Sequence, residues 1–223
     1  MPSGAKAAIA RLSSGDHAEV YIKRLIFDQH LKAGDRVPQD DVAGALGISR
    51  IPVREALIAL EREGWVTIEM HRGAFVNEFD EQAVRDHYTL FGLVYGFAAR
   101  RALERDSGGE LAGVLDGIVA RVKGSDDPST IGSATLAFHD AVIDVARSPR
   151  IRTILGAMSG LIPGNFFAVV PGAVDVERDG LSAIARAVKR RDGDAAAKEY
   201  GRMLDRHGDL VVAVFRSRGF FAA

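Results

Sequence analysis

Two arginines, Arg50 and Arg54, stand one helical turn apart in a stretch whose apolar residues repeat with helical spacing. Both guanidinium groups therefore leave the same side of one helix, near its N-terminus. Each offers paired N–H donors in a fork that fits guanine O6 and N7, or the oxygens of a phosphate. Ser49 precedes them as an N-cap, and Pro52 falls in the first turn, where a missing N–H costs nothing. Arg36 lies upstream and is suited to a phosphate, while His71-Arg72-Gly73 marks a turn tip suited to a sugar-phosphate backbone or a minor groove. This is the chemistry of holding a polyanion, not of turnover. His139 has acidic neighbours in Asp140 and Asp144, but Asp140 is adjacent in sequence and points elsewhere on the helix. No nucleophile, glycine-rich phosphate loop or His-Glu metal motif accompanies them, so the residues argue against an enzyme. The chain has no cysteine, which excludes disulfides and thiolate metal sites and fits a reducing compartment.

The elements that must position these groups follow from the apolar pattern. Val20, Tyr21, Ile22, Leu25, Ile26 and Leu31 predict a helix over 18–31 with one broad apolar side. Lys32 to Asp35 is a turn. Asp40-Asp41 open a second short helix with Val42, Ala45 and Leu46 on its core side, and Gly47 stands where a helix ends. Ile48 is a buried linker, and a third helix runs from Arg50 to about Glu63, burying Val53, Ala56, Leu57 and Leu60. Helix, short turn, helix is the helix-turn-helix pattern. After Gly64, Trp65–Ile68 and Ala74–Val76 read as two strands around the turn at Glu69 to Gly73. Such a winged head reads DNA through its third helix, although winged helices also bind proteins.

From Glu81 the texture changes to long helical periodicity, broken near Ser107, Gly124, Ser148, Pro163 to Pro171 and Asp192. Six helices are predicted, at 81–105, 110–123, 128–147, 150–167, 173–191 and 193–218. The expected organisation is a flexible leader over 1–15, a winged helix-turn-helix domain over 16–78 and an all-helical domain over 79–223, mainly α throughout. A helical array of this kind buries its own core and can enclose a ligand cavity. Glycines four apart, such as Gly92 and Gly96 or Gly113 and Gly117, signify either tight helix packing or room for a ligand. The 29 basic and 30 acidic residues among 223 leave a formal charge of −1. Neither domain is net basic, so binding to a polyanion rests on a local face rather than on bulk attraction. The apolar stretch Phe91–Ala99 is far too short to span a membrane, and the first 15 residues lack a long apolar segment. A cytoplasmic location is expected.

Asp41-Val42-Ala43-Gly44-Ala45-Leu46-Gly47-Ile48-Ser49-Arg50-Ile51-Pro52-Val53-Arg54-Glu55-Ala56-Leu57-Ile58-Ala59-Leu60-Glu61-Arg62-Glu63-Gly64 closely resembles the signature of the GntR family of bacterial transcription regulators. Leu31 to Val37 and the wing Arg72-Gly73-Ala74-Phe75-Val76 match as well. The resemblance implies that Arg36, Ser49, Arg50, Pro52, Arg54 and Gly73 lie at the DNA. Ile51 departs from it, since the family usually has threonine there. A phosphate contact is then lost, or thymine methyls are favoured. The second half looks like the FCD effector domain of the FadR-type subgroup, on Phe138-His139, Ser148-Pro149-Arg150 and Ala187 to Asp192.

Many FCD domains hold a divalent metal through one aspartate and three histidines, with a small carboxylate ligand completing the shell. Carried over one by one, those positions fall here on Thr135, His139, Leu181 and Met203, and an accompanying arginine and glutamate on Phe91 and Tyr95. One imidazole among four positions cannot make a tight site. The resemblance thus implies a metal-free, cofactor-free pocket lined by Leu181, Met203, Phe91 and Tyr95. His139, Thr135, Tyr95 and Asn165 would serve as polar anchors, and a fatty acid, acyl thioester or other lipid-like acid as ligand. Three alternatives stay open: His207, one turn beyond Met203, joins His139 in a residual metal site sensing a small carboxylate; His139 is an ordinary core residue; or the apolar residues are ordinary core with no cavity between them. The resemblance also implies a homodimer on a palindromic operator, repressing until its effector binds. From another class, a protein-interaction winged helix fused to a lipid-binding bundle remains the rival.

Overall fold

A computed structural model of the chain describes residues 13–158 and 160–221. The chain divides into two compact units, with the boundary between Asn77 and Glu78.

The first unit opens with α1 (Ser14–Phe27), four residues earlier at each end than the apolar pattern predicts. The cause is a capping box. Ser13 Oγ accepts the Asp16 amide at 3.1 Å, and the Asp16 carboxylate accepts the Ser13 amide at 2.7 Å. Residues 13–15 of the expected leader thus belong to the helix start, and the remainder, 1–12, lies outside the described residues. Helix α2 (Gln39–Leu46) ends at Gly47, whose φ of 65° lets the chain turn into α3 (Arg50–Arg62). Ala43 rather than Ala45 joins Val42 in the core, and Ile48 is half-buried. The wing is an antiparallel pair, β1 (Val66–Glu69) and β2 (Gly73–Val76), in register from Val66–Val76 to Glu69–Gly73. Ile22, Val53, Leu60 and Trp65 are completely buried at the centre of this unit. Lys23 is buried too. It pairs with Glu19 at 2.9 Å and with Glu63 at 2.5 Å, tying α1 to the end of α3.

The second unit holds α4 (Glu81–Arg105), α5 (Glu110–Lys123), α6 (Pro128–Ala146), α7 (Pro149–Ala157), α8 (Phe166–Val169), α9 (Ala173–Lys189) and α10 (Gly193–Ser217). The helix expected over 150–167 is instead two pieces, because Pro163 lacks an amide and Gly164 takes φ 84° between them. Its spine is α4 against α10. A Cβ at Gly92 would lie 3.0 Å from the Gly201 Cα, and one at Gly96 would lie 3.1 Å from the Ala197 Cβ. At these two positions glycine serves close helix packing, not ligand space. Helix α6 packs on α4 and α5, and α9 packs on α5, α6 and α10. No helix among the described residues is long and apolar enough to cross a membrane.

Candidate functional site

A groove of about 690 Å³ opens on the first unit between α2, α3 and the wing. Arg36, Arg50, Arg54, His71 and Gly73 all line it, so the structure brings together five of the nine residues expected at DNA. Each has a local reason for its place. Arg50 and Arg54 extend from the first turns of α3, and Arg50 Nη2 donates to Asp40 Oδ2 at 2.6 Å. Arg54 is exposed and has no hydrogen bond or ion pair among the described residues. Arg36 lies flat over Gly73, where a Cβ would sit 2.7 Å from its Nε; glycine at 73, with φ 114°, is what allows that approach. His71 holds the tight wing turn with φ 63°.

The remaining four line no part of the groove. Ser49 sits at the N-cap of α3 by position, yet its hydroxyl makes no capping bond and is left exposed. Ile51 is 69% exposed, a bare apolar side chain beside it. Pro52 occupies the first turn and is half-buried. Arg72 pairs with Glu69 and stacks 5.4 Å over the Phe75 ring. Three arginines along the groove meet Asp40, Asp41 and Glu69, so it carries little net field. Recognition there depends on where individual guanidinium forks point.

The second unit has an open cavity of about 640 Å³ between α4, α6, α8, α9 and α10. Phe91, Tyr95, Thr135, His139, Asn165 and His207 line it as expected sites. Leu181 and Met203 do not. Leu181 is wholly buried in the helix core, and the Met203 thioether fills the notch over Gly180, where a Cβ would come within 2.3 Å of its Sδ. One turn back along α9 from Leu181 stands Glu177, and one turn forward along α10 from Met203 stands His207. Both reach the cavity instead. Antiparallel helices keep Glu177 and His207 opposite one another, each one turn from the position that the family pattern marked. Asn165 is mostly spent on structure: its Oδ1 caps α8 by accepting the Phe167 amide at 3.1 Å, and its Nδ2 donates to Ser129 at 3.4 Å.

The polar groups of the cavity form two small sets. Thr135 Oγ1 donates to Glu177 Oε1 at 3.1 Å, and His207 Nε2 stands 3.6 Å from Glu177 Oε2. His207 Nε2 faces the Ala173 carbonyl oxygen at 3.4 Å, which makes that nitrogen the protonated one. His139 Nδ1 lies 3.4 Å from the Tyr200 hydroxyl, with the Tyr95 ring 4.4 Å away. Burial lifts the Glu177 carboxyl to about 7, partly opposed by the Thr135 hydroxyl. Burial likewise depresses His139 to about 3, with His207 adding to the effect, and His207 to about 4 against the Ala173 bond. Both imidazoles are neutral at physiological pH. Burial also drives Tyr95 up to about 12, so its hydroxyl stays protonated.

The chain matches the family of bacterial regulatory proteins, gntR family, over residues 15–76 and the FCD domain over residues 86–206. An uncharacterized HTH-type transcriptional regulator of Mycobacterium tuberculosis is 30% identical over 204 residues, 91% of this chain and 83% of that protein. The chain belongs to the GntR family and carries an FCD domain. The galactonate operon transcriptional repressor of Escherichia coli is 20% identical over 200 residues, 78% of this chain and 86% of the repressor. A solved GntR family regulator from Pseudomonas syringae shares the fold at TM-score 0.54 and 21% identity, covering 92% of this chain and 86% of that one.

As a GntR-family member the chain is a DNA-binding transcriptional regulator with an effector domain, and not an enzyme. Of the positions carried over from the metal-holding FCD domains, Thr135 and His139 line the cavity, and the Thr135 hydroxyl is spent on Glu177. Among the described residues no group of three or more His, Cys, Asp or Glu gathers in a way that would hold a metal ion. Sequence reasoning missed Glu177, and with it Tyr88 and Phe166 in the lining. The available signal was an acid in an otherwise apolar helix face, one turn from the position that the family pattern marked.

Proposed function

We propose that this regulator binds a palindromic operator as a homodimer, through α3 and the wing, and that a small, largely apolar molecule in the metal-free cavity of the effector unit changes its operator affinity. The observation that carries this reading is the pairing of an exposed arginine-lined groove in one unit with an aromatic-lined cavity in the other. Leu90, Leu93 and Phe97, exposed along one face of α4, supply an apolar stripe suited to a second copy of the chain. The repressor sense is supported by the E. coli relative, whose name describes a repressor. Its place of action would be the cytoplasm, where the chromosome lies.

The ligand must favour one arrangement of the DNA-binding units over another, since equal affinity for both shifts nothing. Couplings of this kind are commonly about 1–3 kcal/mol. A fatty acid or acyl thioester, expected from the resemblance, finds no lysine or arginine in the cavity lining to receive an acidic head group. The test is fluorescence anisotropy with DNA from upstream of the protein's own gene, across a salt series. Binding of a palindromic segment that weakens steeply with salt supports the reading; no preference over scrambled DNA sinks it.

A further inference from the structure

Apart from imidazoles and tyrosine phenols, Glu177 is the one titratable acid or base lining the cavity, among the described residues. We infer that the cavity takes an amphipathic organic amine, its ammonium against the Glu177 carboxylate and its apolar body among Phe91, Tyr95 and Phe166. This rests on the reading of that cavity as the effector site.

Three features converge on a cation. First, Glu177 is 1% exposed, and the polar groups beside it are neutral: the Thr135 hydroxyl at 3.1 Å and the His207 ring, whose proton points to the Ala173 carbonyl. A buried carboxylate without a counter-charge is costly, and a ligand ammonium supplies the missing charge together with hydrogen bonds. Second, the walls are aromatic: Tyr88, Phe91, Tyr95 and Phe166 line the cavity, and rings of this kind suit the body of an organic cation better than that of an anion. Third, the same lining disfavours an anion. A ligand carboxylate would meet Glu177 with no lysine or arginine to offset the repulsion. A purely neutral ligand would fill the apolar space but leave the acid without a counter-charge.

The test uses the full chain and three probes of matched shape, n-octylamine, n-octanol and n-octanoate, in isothermal titration calorimetry slightly above neutral pH. Octylamine should bind at least about tenfold more tightly than octanol, with octanoate weakest, a gap of the size that one well-placed charge pair provides. In Glu177→Gln the advantage of the amine over the alcohol should vanish, while octanol binding stays within about twofold. Thr135→Val, which keeps the carboxylate, should retain the preference. Octanol or octanoate binding as tightly as octylamine, or an amine preference that survives Glu177→Gln, overturns the inference and leaves the effector cavity standing. If none of the three binds, the cavity reading falls as well. Should Glu177→Gln fail to fold, the ranking on the unaltered protein still decides.

Discussion

The groove of the DNA-binding unit and the cavity of the effector unit solve opposite problems with charge. In the groove, Arg36, Arg50 and Arg54 stand in water, and a helical turn or a glycine platform suffices to aim them. All the groove residues come from one continuous stretch of chain. In the cavity, Thr135, His139, Glu177 and His207 are drawn from three helices, and each has a polar partner across the bundle. An exposed cation is tolerated wherever the backbone puts it. A buried polar group is tolerated only beside a complementary one, so its position is a property of the pair. Glu177 and His207, 3.6 Å apart, are such a pair.

The largest effect should come from the groove. Replacing both Arg50 and Arg54 by alanine should reduce operator affinity by about 100-fold or more, at roughly 1–3 kcal/mol for each lost bidentate contact. The fold should be unchanged, because both side chains are exposed. Anisotropy at physiological salt, with circular dichroism as the folding control, measures this, and unaltered affinity breaks the contrast at its stronger end. Next in size is assembly. Leu93→Glu with Phe97→Glu places charges on the α4 stripe and should convert the protein to monomers in analytical ultracentrifugation, with weaker operator binding as a consequence; dimers that persist remove α4 from the interface.

A smaller effect is expected inside the bundle. Gly180→Ala puts a methyl where Met203 lies and should cost about 1–3 kcal/mol in urea unfolding of the effector unit. Neutral behaviour would mean that the thioether relocates freely, against the claim that it is plugged into the core. The smallest effect is a pH signature. Glu177 is lifted from 4.5 to about 7 in the fold, so the native state holds a proton that the unfolded chain releases. Its contribution to stability therefore declines as pH rises between those values. His139 and His207, depressed from 6.5 to about 3 and about 4, act in the opposite sense, and stability rises with pH toward 6.5. Two histidines outweigh one glutamate up to that point. Glu177→Gln should consequently gain on the parent protein by a few degrees in Tm as pH goes from about 4.5 to 7, then level off. A constant offset between the two melting curves would deny Glu177 its buried titration.

The DNA-binding unit was largely legible because its signals are local. The turn glycine at Gly47, the arginine pair and the alternating wing residues each act over a few positions. Even there the start of α1 was missed, since Ser13-Ser14-Gly15-Asp16 looks like a loose linker until aspartate is seen to close the capping box. In the effector unit most helix spans were readable and a break was marked at Pro163 to Pro171, but α7 already ends at Ala157, six residues before that proline. Glu177 was overlooked as a site: an acid on the apolar face of α9 is visible in the sequence, but its place at the ligand cavity is not.

From the amino-acid order alone came the two-part architecture, the helix-turn-helix with its wing and the arginine pair. These depend on spacing within a single element, and spacing is written in the chain. What only tertiary structure decided was which polar residues face the cavity, that Met203 is packed against Gly180, and that the acid meeting the ligand space has no cation beside it in the lining. Such facts depend on the depth at which one helix packs against the next, and a slip of a single turn preserves every local pattern while exchanging which residues meet.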